Sequence, residues 1–352
     1  MRQVTRPGRL FWGISGVITV VALGVPGAHL ILNAGTPNVQ FNMAAVPTRT
    51  VTITQPVTSV NVQSYGAPIE IMTGTGPDVT VAEAVTYPDG DSSPAVTAQV
   101  TGGQLTLAAP ACADSPCSVG FTVTLPTGVP VTAASSGGDI IISGAKGASL
   151  DSGGGAVRAT NVTGSLGVTS EGGPVFISSA AGANVDSGGG VVQAAKIYGQ
   201  LTVTTEGGPL TINGLTGALH ADTGGGNLNA DGVSASVAAV TTEGGDARLG
   251  FATAPDSVQV DTGGGAADLT VPGGPYALTA DDGGGGPEMI SIATDPAATR
   301  SITVSTNGGP LRINAGAVGS SDLKAGDTGL GGKLPKAPKP PKPPSPPAPP
   351  KP

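Results

Sequence analysis

Leu201-Thr202-Val203-Thr204-Thr205-Glu206-Gly207-Gly208-Pro209-Leu210-Thr211-Ile212-Asn213-Gly214 contains a short alternating run, a turn with paired glycines, a second alternating run and a glycine corner. That order decides the fold. Period-two alternation sends Leu210 and Ile212 to one face and Thr211 to the other, as in a half-buried strand. The same order returns through the middle of the chain about every 17 to 20 residues. Its turns fall into two alternating classes. One reads Asp-Ser/Thr-Gly-Gly-Gly from Asp151, Asp186, Asp222 and Asp261, and the other Thr/Ser-Glu-Gly-Gly from Ser170, Thr205 and Thr242. Turns of one class lie about 35 residues apart, with 35 from Asp151 to Asp186 and 36 from Asp186 to Asp222.

A unit this short cannot bury its own apolar face, so stacking must make the core, and the chain reads as an all-β solenoid. Glycine suits the corners, where tight bends need positive φ and neighbouring coils bring backbones close. With 58 glycines and 32 prolines in 352 residues, the composition alone would also fit disorder. The fixed spacing and the β-branched residues between the glycines exclude that reading for the repeat.

The repeat starts before its glycine doublets do. Ser59-Val60-Asn61-Val62-Gln63-Ser64-Tyr65-Gly66-Ala67-Pro68-Ile69-Glu70-Ile71 superposes on residues 165–177, with Gly66 at the place of Gly172 and Pro68 at the place of Pro174. Residues 48–316 are therefore read as one β domain. Its first part, with strands near Val51, Val79, Val96, Leu105 and Phe121, is less regular and is expected to cap the first coil. After Asp261 the spacing stretches to Asp282 and then Asn307, so the last coils are atypical too, as expected where a solenoid stops without leaving a sticky edge. Coil length stays open between one unit of 18 residues and a pair of 35. At about 4.8 Å per stacked strand, ten short coils would span about 48 Å and five long ones about 24 Å. The two-class alternation of turns favours the long coil.

Residues 1–9 carry Arg2, Arg6 and Arg9 and no acid, and Leu10 to Leu32 contains no Asp, Glu, Lys or Arg. Those 23 residues at about 1.5 Å each reach about 35 Å, enough to cross a bilayer core. The spacing predicts a transmembrane helix over 10–33, with the amino terminus in the cytoplasm, a linker over 34–47 and everything beyond outside the cell. Cleavage near Gly27 and Ala28 is the rival reading. The apolar stretch continues through Leu30-Ile31-Leu32 past any such site, which favours an uncleaved signal anchor.

Cys112 and Cys117, the only two cysteines, lie between two strand-like runs, and an exterior location permits a disulfide between them. Two thiols without a nearby His make only half a zinc site. All 24 acids fall between Asn33 and Lys333, where only eight Lys or Arg occur, so this body carries −16 while the amino end carries +3 and the tail +5. Such a body repels anionic polymers, which argues against nucleic-acid binding.

Residues 317–352 are read as a disordered glycine-containing and then Pro/Lys-rich tail. Lys336-Ala337-Pro338-Lys339-Pro340-Pro341-Lys342-Pro343-Pro344 should sit in extended polyproline II, at about 3.1 Å per residue. It is either a soluble spacer or a stiff row of lysines, Lys336, Lys339 and Lys342 among them, able to touch anionic cell-wall polymer or the protein's own acidic body.

The short basic start, the single apolar segment and the Cys112 to Cys117 loop are followed by Phe121-Thr122-Val123-Thr124-Leu125-Pro126, by Ser136-Gly137-Gly138-Asp139-Ile140 and by serial Gly-Gly strands. Together they resemble the bacterial putative adhesin family of β-strand-repeat proteins, a domain of unknown function common in actinobacteria. The resemblance covers about residues 48–316 and implies a β-solenoid at the cell surface. It brings no catalytic residues, and the proline tail is not part of its pattern.

Parallel β-helices do host polysaccharide-active enzymes, which cluster Asp, Lys, Arg or His on one sheet. Here the acids sit beside turn glycines, and His220 is the only histidine outside the apolar segment. Flanked by Leu219 and Ala221, it reads as a solvated strand residue. No Ser-His-Asp grouping, phosphate loop or Cys-His pairing is visible. Asp151, Asp186, Asp222 and Asp261, if stacked in register, would place carboxylates about 5 Å apart, close enough to bind Ca²⁺ or to repel one another. Such Asp side chains more often bond to the amides of their own turn. The sequence therefore reads as a non-catalytic cell-surface module for adhesion, wall contact or envelope organisation, with no catalytic, cofactor or metal residues. An extracytoplasmic sensor or regulatory domain is the alternative.

Overall fold

The computed structural model describes residues 43–45, 48–89, 91–109 and 117–316. The apolar segment 10–33, most of the linker 34–47, Cys112 and the tail 317–352 lie outside the described residues. Every regular element among the described residues is a β-strand.

Each coil contains two strands joined by a glycine turn. Leu201–Thr205 runs into the turn and Leu210–Thr216 leaves it. The first pairs in parallel with Leu219–Asp222, Leu201 lying opposite Leu219, and the second with Leu228–Ser234, Leu210 lying opposite Leu228. The coil is therefore 18 residues long here, which settles the open coil length against the 35-residue pair that the turn classes favoured. Later steps lengthen slightly, with Leu228 opposite Ala247 and Ala247 opposite Ala267.

Stacking produces two parallel sheets: the strands entering the glycine turns form one, and the strands leaving them form the other. Alternate residues point inward. Leu210 and Ile212 are buried, with Ile212 at 0% exposure, while Thr211 is partly exposed. Along the second sheet the inward row reads Ile142, Ala159, Ile177, Ala194, Ile212, Ala230, in register from coil to coil. Large and small side chains alternate, so consecutive coils interdigitate rather than compete for the same volume.

Both ends depart from chain order. At the amino end, Ser59–Ser64 lies between Gln104–Ala108 and Val131–Ser135, and Ile69–Thr73 lies between Ser118–Leu125 and Ile140–Ser143. At the other end, Ser301–Ser305 lies between Ser257–Asp261 and Pro275–Asp281, and Leu311–Ala315 between Ala267–Val271 and Glu288–Ser291. At the carboxyl end the chain overshoots by one coil and returns to fill the gap, whereas at the amino end it starts one coil in, runs back to the outermost coil and then crosses its own first coil to continue. Twelve coils stack in this way among the described residues. Eleven steps of about 4.8 Å span about 53 Å.

The amino end carries added antiparallel strands. Val79–Pro88 runs antiparallel to Ser118–Leu125 and is followed by Arg49–Ile53 and Met43–Ala45, while Thr97–Thr101 runs antiparallel to Gln104–Ala108. This is the irregular cap that the sequence led us to expect. The opposite end is different: Glu288–Ser291 pairs only with Leu311–Ala315, and all four of its residues are exposed.

Candidate functional site

The glycine turns share one frame that begins with a hydroxyl residue pointing inward. Ser152, Ser170, Ser187, Thr205, Thr223, Thr242, Thr262 and Thr306 are each 2% exposed or less. Their hydroxyls turn back to the carbonyl three residues on. Ser152 Oγ donates to the Gly155 carbonyl at 2.8 Å, Ser170 Oγ to Gly173 at 2.9 Å and Thr306 Oγ1 to Gly309 at 2.7 Å. Thr205 Oγ1 lies 2.8 Å from the Gly208 carbonyl and 3.0 Å from that of Thr223 in the next coil. Ser64 repeats the bond toward Ala67, which confirms the superposition of residues 59–71 on residues 165–177. Ser187 breaks the pattern, because its buried Oγ has no hydrogen-bond partner among the described residues.

This hydroxyl row escaped the sequence reading, although its signal was present as a Ser or Thr three residues before the last glycine of each turn. A buried carbonyl at a tight corner needs a donor, and a short side chain from the same turn supplies one without enlarging the core. The last glycine of the turn serves the stacking itself. A Cβ added to Gly208 would collide with the carbonyl oxygen of Gly190 in the coil below, and one added to Gly190 with that of Gly173.

The turns also form an acidic edge. In this frame the two turn classes place their acids at different positions: Asp stands just before the buried hydroxyl and Glu just after it. Consequently Asp151 lies opposite Thr169, Thr169 opposite Asp186, Asp186 opposite Thr204, and Thr204 opposite Asp222. A column of aspartates stacked about 5 Å apart does not form. A threonine intervenes at every step, so aspartates of one column recur about 9.6 Å apart, two strand spacings. Glu171, Glu206 and Glu243 supply the carboxylate of the intervening coils and are exposed.

Asp222 Oδ1 accepts the Gly224 amide at 3.2 Å, and Asp261 Oδ1 accepts that of Gly263 at 3.1 Å, the local bond expected from sequence. Asp151 and Asp186 make no such bond among the described residues. Near the amino end the edge opens into a shallow depression of about 420 Å³ whose lining includes Gln63, Tyr65, Ser136, Asp151 and Glu171. Among the described residues no three His, Cys, Asp or Glu side chains gather where they could hold a metal ion.

The other singled-out residues lie apart. His220 is exposed on the first sheet, opposite Thr202 and Ala239. Cys117 closes a loop whose other cysteine, Cys112, lies outside the described residues. On the second sheet the Arg158 guanidinium stacks 4.3 Å above the Phe176 ring of the next coil. Tyr276 is packed into the outermost coil with its hydroxyl donating to the Pro272 carbonyl at 2.8 Å. Burial pushes its phenol above the ordinary range, while the charge of nearby Arg300 opposes the shift.

A family model described as Toastrack DUF4097 matches residues 57–285. The chain belongs to that family. The Toastrack match spans the stacked coils from Ser59 to the turn at Gly285, and the family is a domain of unknown function, as the resemblance implied. Two solved structures are similar to this Toastrack chain. One is a putative cell adhesion protein from Clostridium sporogenes, 12% identical, covering 77% of this chain and 100% of that one with a TM-score of 0.18. The other is a putative adhesin from Bacteroides fragilis, 13% identical, covering 77% and 97% with a TM-score of 0.25. No curated protein matches the chain.

Proposed function

We propose that this Toastrack chain is a non-catalytic surface module, held at the cell membrane by residues 10–33 and displaying its solenoid outside. Adhesion, wall contact or envelope organisation would be its work. One observation carries this reading. The outward rows of both sheets present hydroxyl and amide side chains over short stretches, Gln193, Thr211 and Asn229 in register across three coils of one sheet and Asn184 and Thr202 across two of the other, so polar contacts recur from coil to coil rather than gathering at a single site. Recurrence of this kind suits a repetitive polymer, because weak contacts made coil by coil sum through avidity. The acidic edge would turn anionic polymer away from the glycine turns. Contact with anionic wall polymer therefore falls to Lys336, Lys339 and Lys342.

A second reading of the tail rests on a match of spacing. Lysines three residues apart in polyproline II fall on one side of the helix about 9.3 Å apart, close to the two-coil recurrence of the aspartates. The tail would then lie along its own acidic edge. Co-sedimentation with purified cell wall, comparing the full chain in detergent with a variant lacking residues 333–352, separates the readings. Wall contact through the tail predicts weaker sedimentation of the truncated chain at low salt. Self-docking predicts equal or stronger sedimentation, and no sedimentation of either form would remove wall contact as the function.

A further inference from the structure

The carboxyl-terminal end of the solenoid is an open parallel edge. Ile290 is 37% exposed, whereas Ile313, its in-register neighbour in the coil below, is 0% exposed. Leu278 and Ala280 are only partly buried, although their partners Ile302 and Val304 are fully so. A shallow cavity lies against this end, lined by Ala277, Leu278, Thr279, Thr294 and Pro296. The short strand Ala293–Thr294 covers only Pro275 and Tyr276. Unpaired strand edges beside apolar side chains are a template for another strand, and the amino end of this solenoid has such strands in place.

We propose that the occupant is the chain's own segment 317–334, added as a thirteenth coil. Eighteen residues separate Gly316 from Pro335, one coil's length. Their sequence is also that of a coil. Leu323-Lys324-Ala325, then Asp327-Thr328-Gly329-Leu330-Gly331, repeats Leu219-His220-Ala221-Asp222-Thr223-Gly224-Gly225-Gly226 with Gly326 inserted. Inserted single residues of this kind are absorbed by β-bulges. The turn departs from the others at Leu330, where the coils below carry glycine. From Thr328 to Leu334 is six residues, as from Asp282 to Glu288 in the outermost coil, whereas Thr223 to Leu228 is five. The segment thus has the lengthened turn of the coil it would stack on.

The path has a precedent within the same end. Between Val271 and Ala277 the chain passes over the coil position that Ser301–Ser305 later fills. Residues 316–320 would pass over the outermost coil in the same way. Leu323 and Leu334 would then cover the apolar end. Beyond them, Pro335 and Lys336 are residue types that stop strand addition, proline because it lacks an amide and lysine because its charge resists burial. The basic tail begins where a last coil has to end.

Backbone hydrogen exchange tests the assignment on the full chain in detergent, a chain ending at Leu334 and a chain ending at Gly316. The amides of Ala277–Asp281 and Glu288–Ser291 should exchange alike in the first two and at least tenfold faster in the third. In the full chain, the double change Leu323→Asp and Leu334→Asp should give the same loss while leaving Leu201–Thr205 protected. Equal exchange in all three chains overturns the proposal. So does concentration-dependent protection of these strands in the full chain, which would make a second copy the occupant.

Discussion

Asp186 pairs in register with Thr204 of the next coil, and Thr204 in turn with Asp222, so no aspartate in this column has another as its neighbour. Two unit charges one strand spacing apart repel by about 1 kcal/mol in water, and a continuous column would accumulate that cost at every step. Alternation of the two turn classes halves the charge density of the column. Thr204→Asp sets a carboxylate beside both Asp186 and Asp222 and should therefore lower stability by about 2 kcal/mol at low ionic strength, and 1 M salt should recover most of the loss because the Debye length falls to about 3 Å. Melting temperatures in 10 mM and 1 M salt decide it; an unchanged melt at both would show that the carboxylates splay beyond one another's reach.

The buried hydroxyls make a second prediction with an internal control. Thr205→Val keeps the shape but leaves the Gly208 carbonyl without its donor, which should cost about 1–3 kcal/mol. Ser187→Ala removes a hydroxyl that has no hydrogen-bond partner among the described residues and should be neutral or stabilising. Equal losses in denaturant unfolding would mean that the row acts only through volume.

The two-residue alternation of Leu210, Thr211 and Ile212, the parallel stacking of short units and the early start of the repeat at Ser59 were all legible in the sequence, because each is a local pattern of side chains. Coil length stayed open in the sequence, with the longer coil favoured, for an instructive reason. The 35-residue period is real, but it is the period of two coils, set by Asp alternating with Thr on the edge and by Ile alternating with Ala in the core. Neither alternation distinguishes one long coil from two short ones until the register is known. The overshoot at the carboxyl end was illegible because filling a gap between Ser257–Asp261 and Pro275–Asp281 with residues 301–305 is a long-range event with no local signature. The expectation that the ends would leave no sticky edge fails at the carboxyl end, where Glu288–Ser291 is open among the described residues.

Core alternation can be tested directly. Ile212→Asp would bury an unpaired carboxylate at a position with 0% exposure and should cost several kcal/mol, enough to unfold the surrounding coils. Thr211→Asp, one residue away on the outward face, should change the melt little. Comparable destabilisation by the two would refute the assigned inward row.

The glycines separate two physical reasons for one residue type, and a pair of alanine substitutions should tell them apart. Gly214 has φ of 78° and open space where a Cβ would go, so Gly214→Ala meets only the left-handed backbone penalty, about 1–2 kcal/mol. Lys196, the residue in register with it in the coil below, already occupies that region at φ 55°, which shows that the corner tolerates a side chain. Gly208 has no positive φ, yet its added Cβ would strike the Gly190 carbonyl, and backbone on both sides is fixed by stacking. Gly208→Ala should therefore force neighbouring coils apart, with a loss well above that of Gly214→Ala and with faster hydrogen exchange in the coils on either side of the turn. A Gly208→Ala protein as stable as the Gly214→Ala one would mean that the coils can separate at this edge without cost, and the close stacking of the glycine turns would not be what holds the solenoid in register.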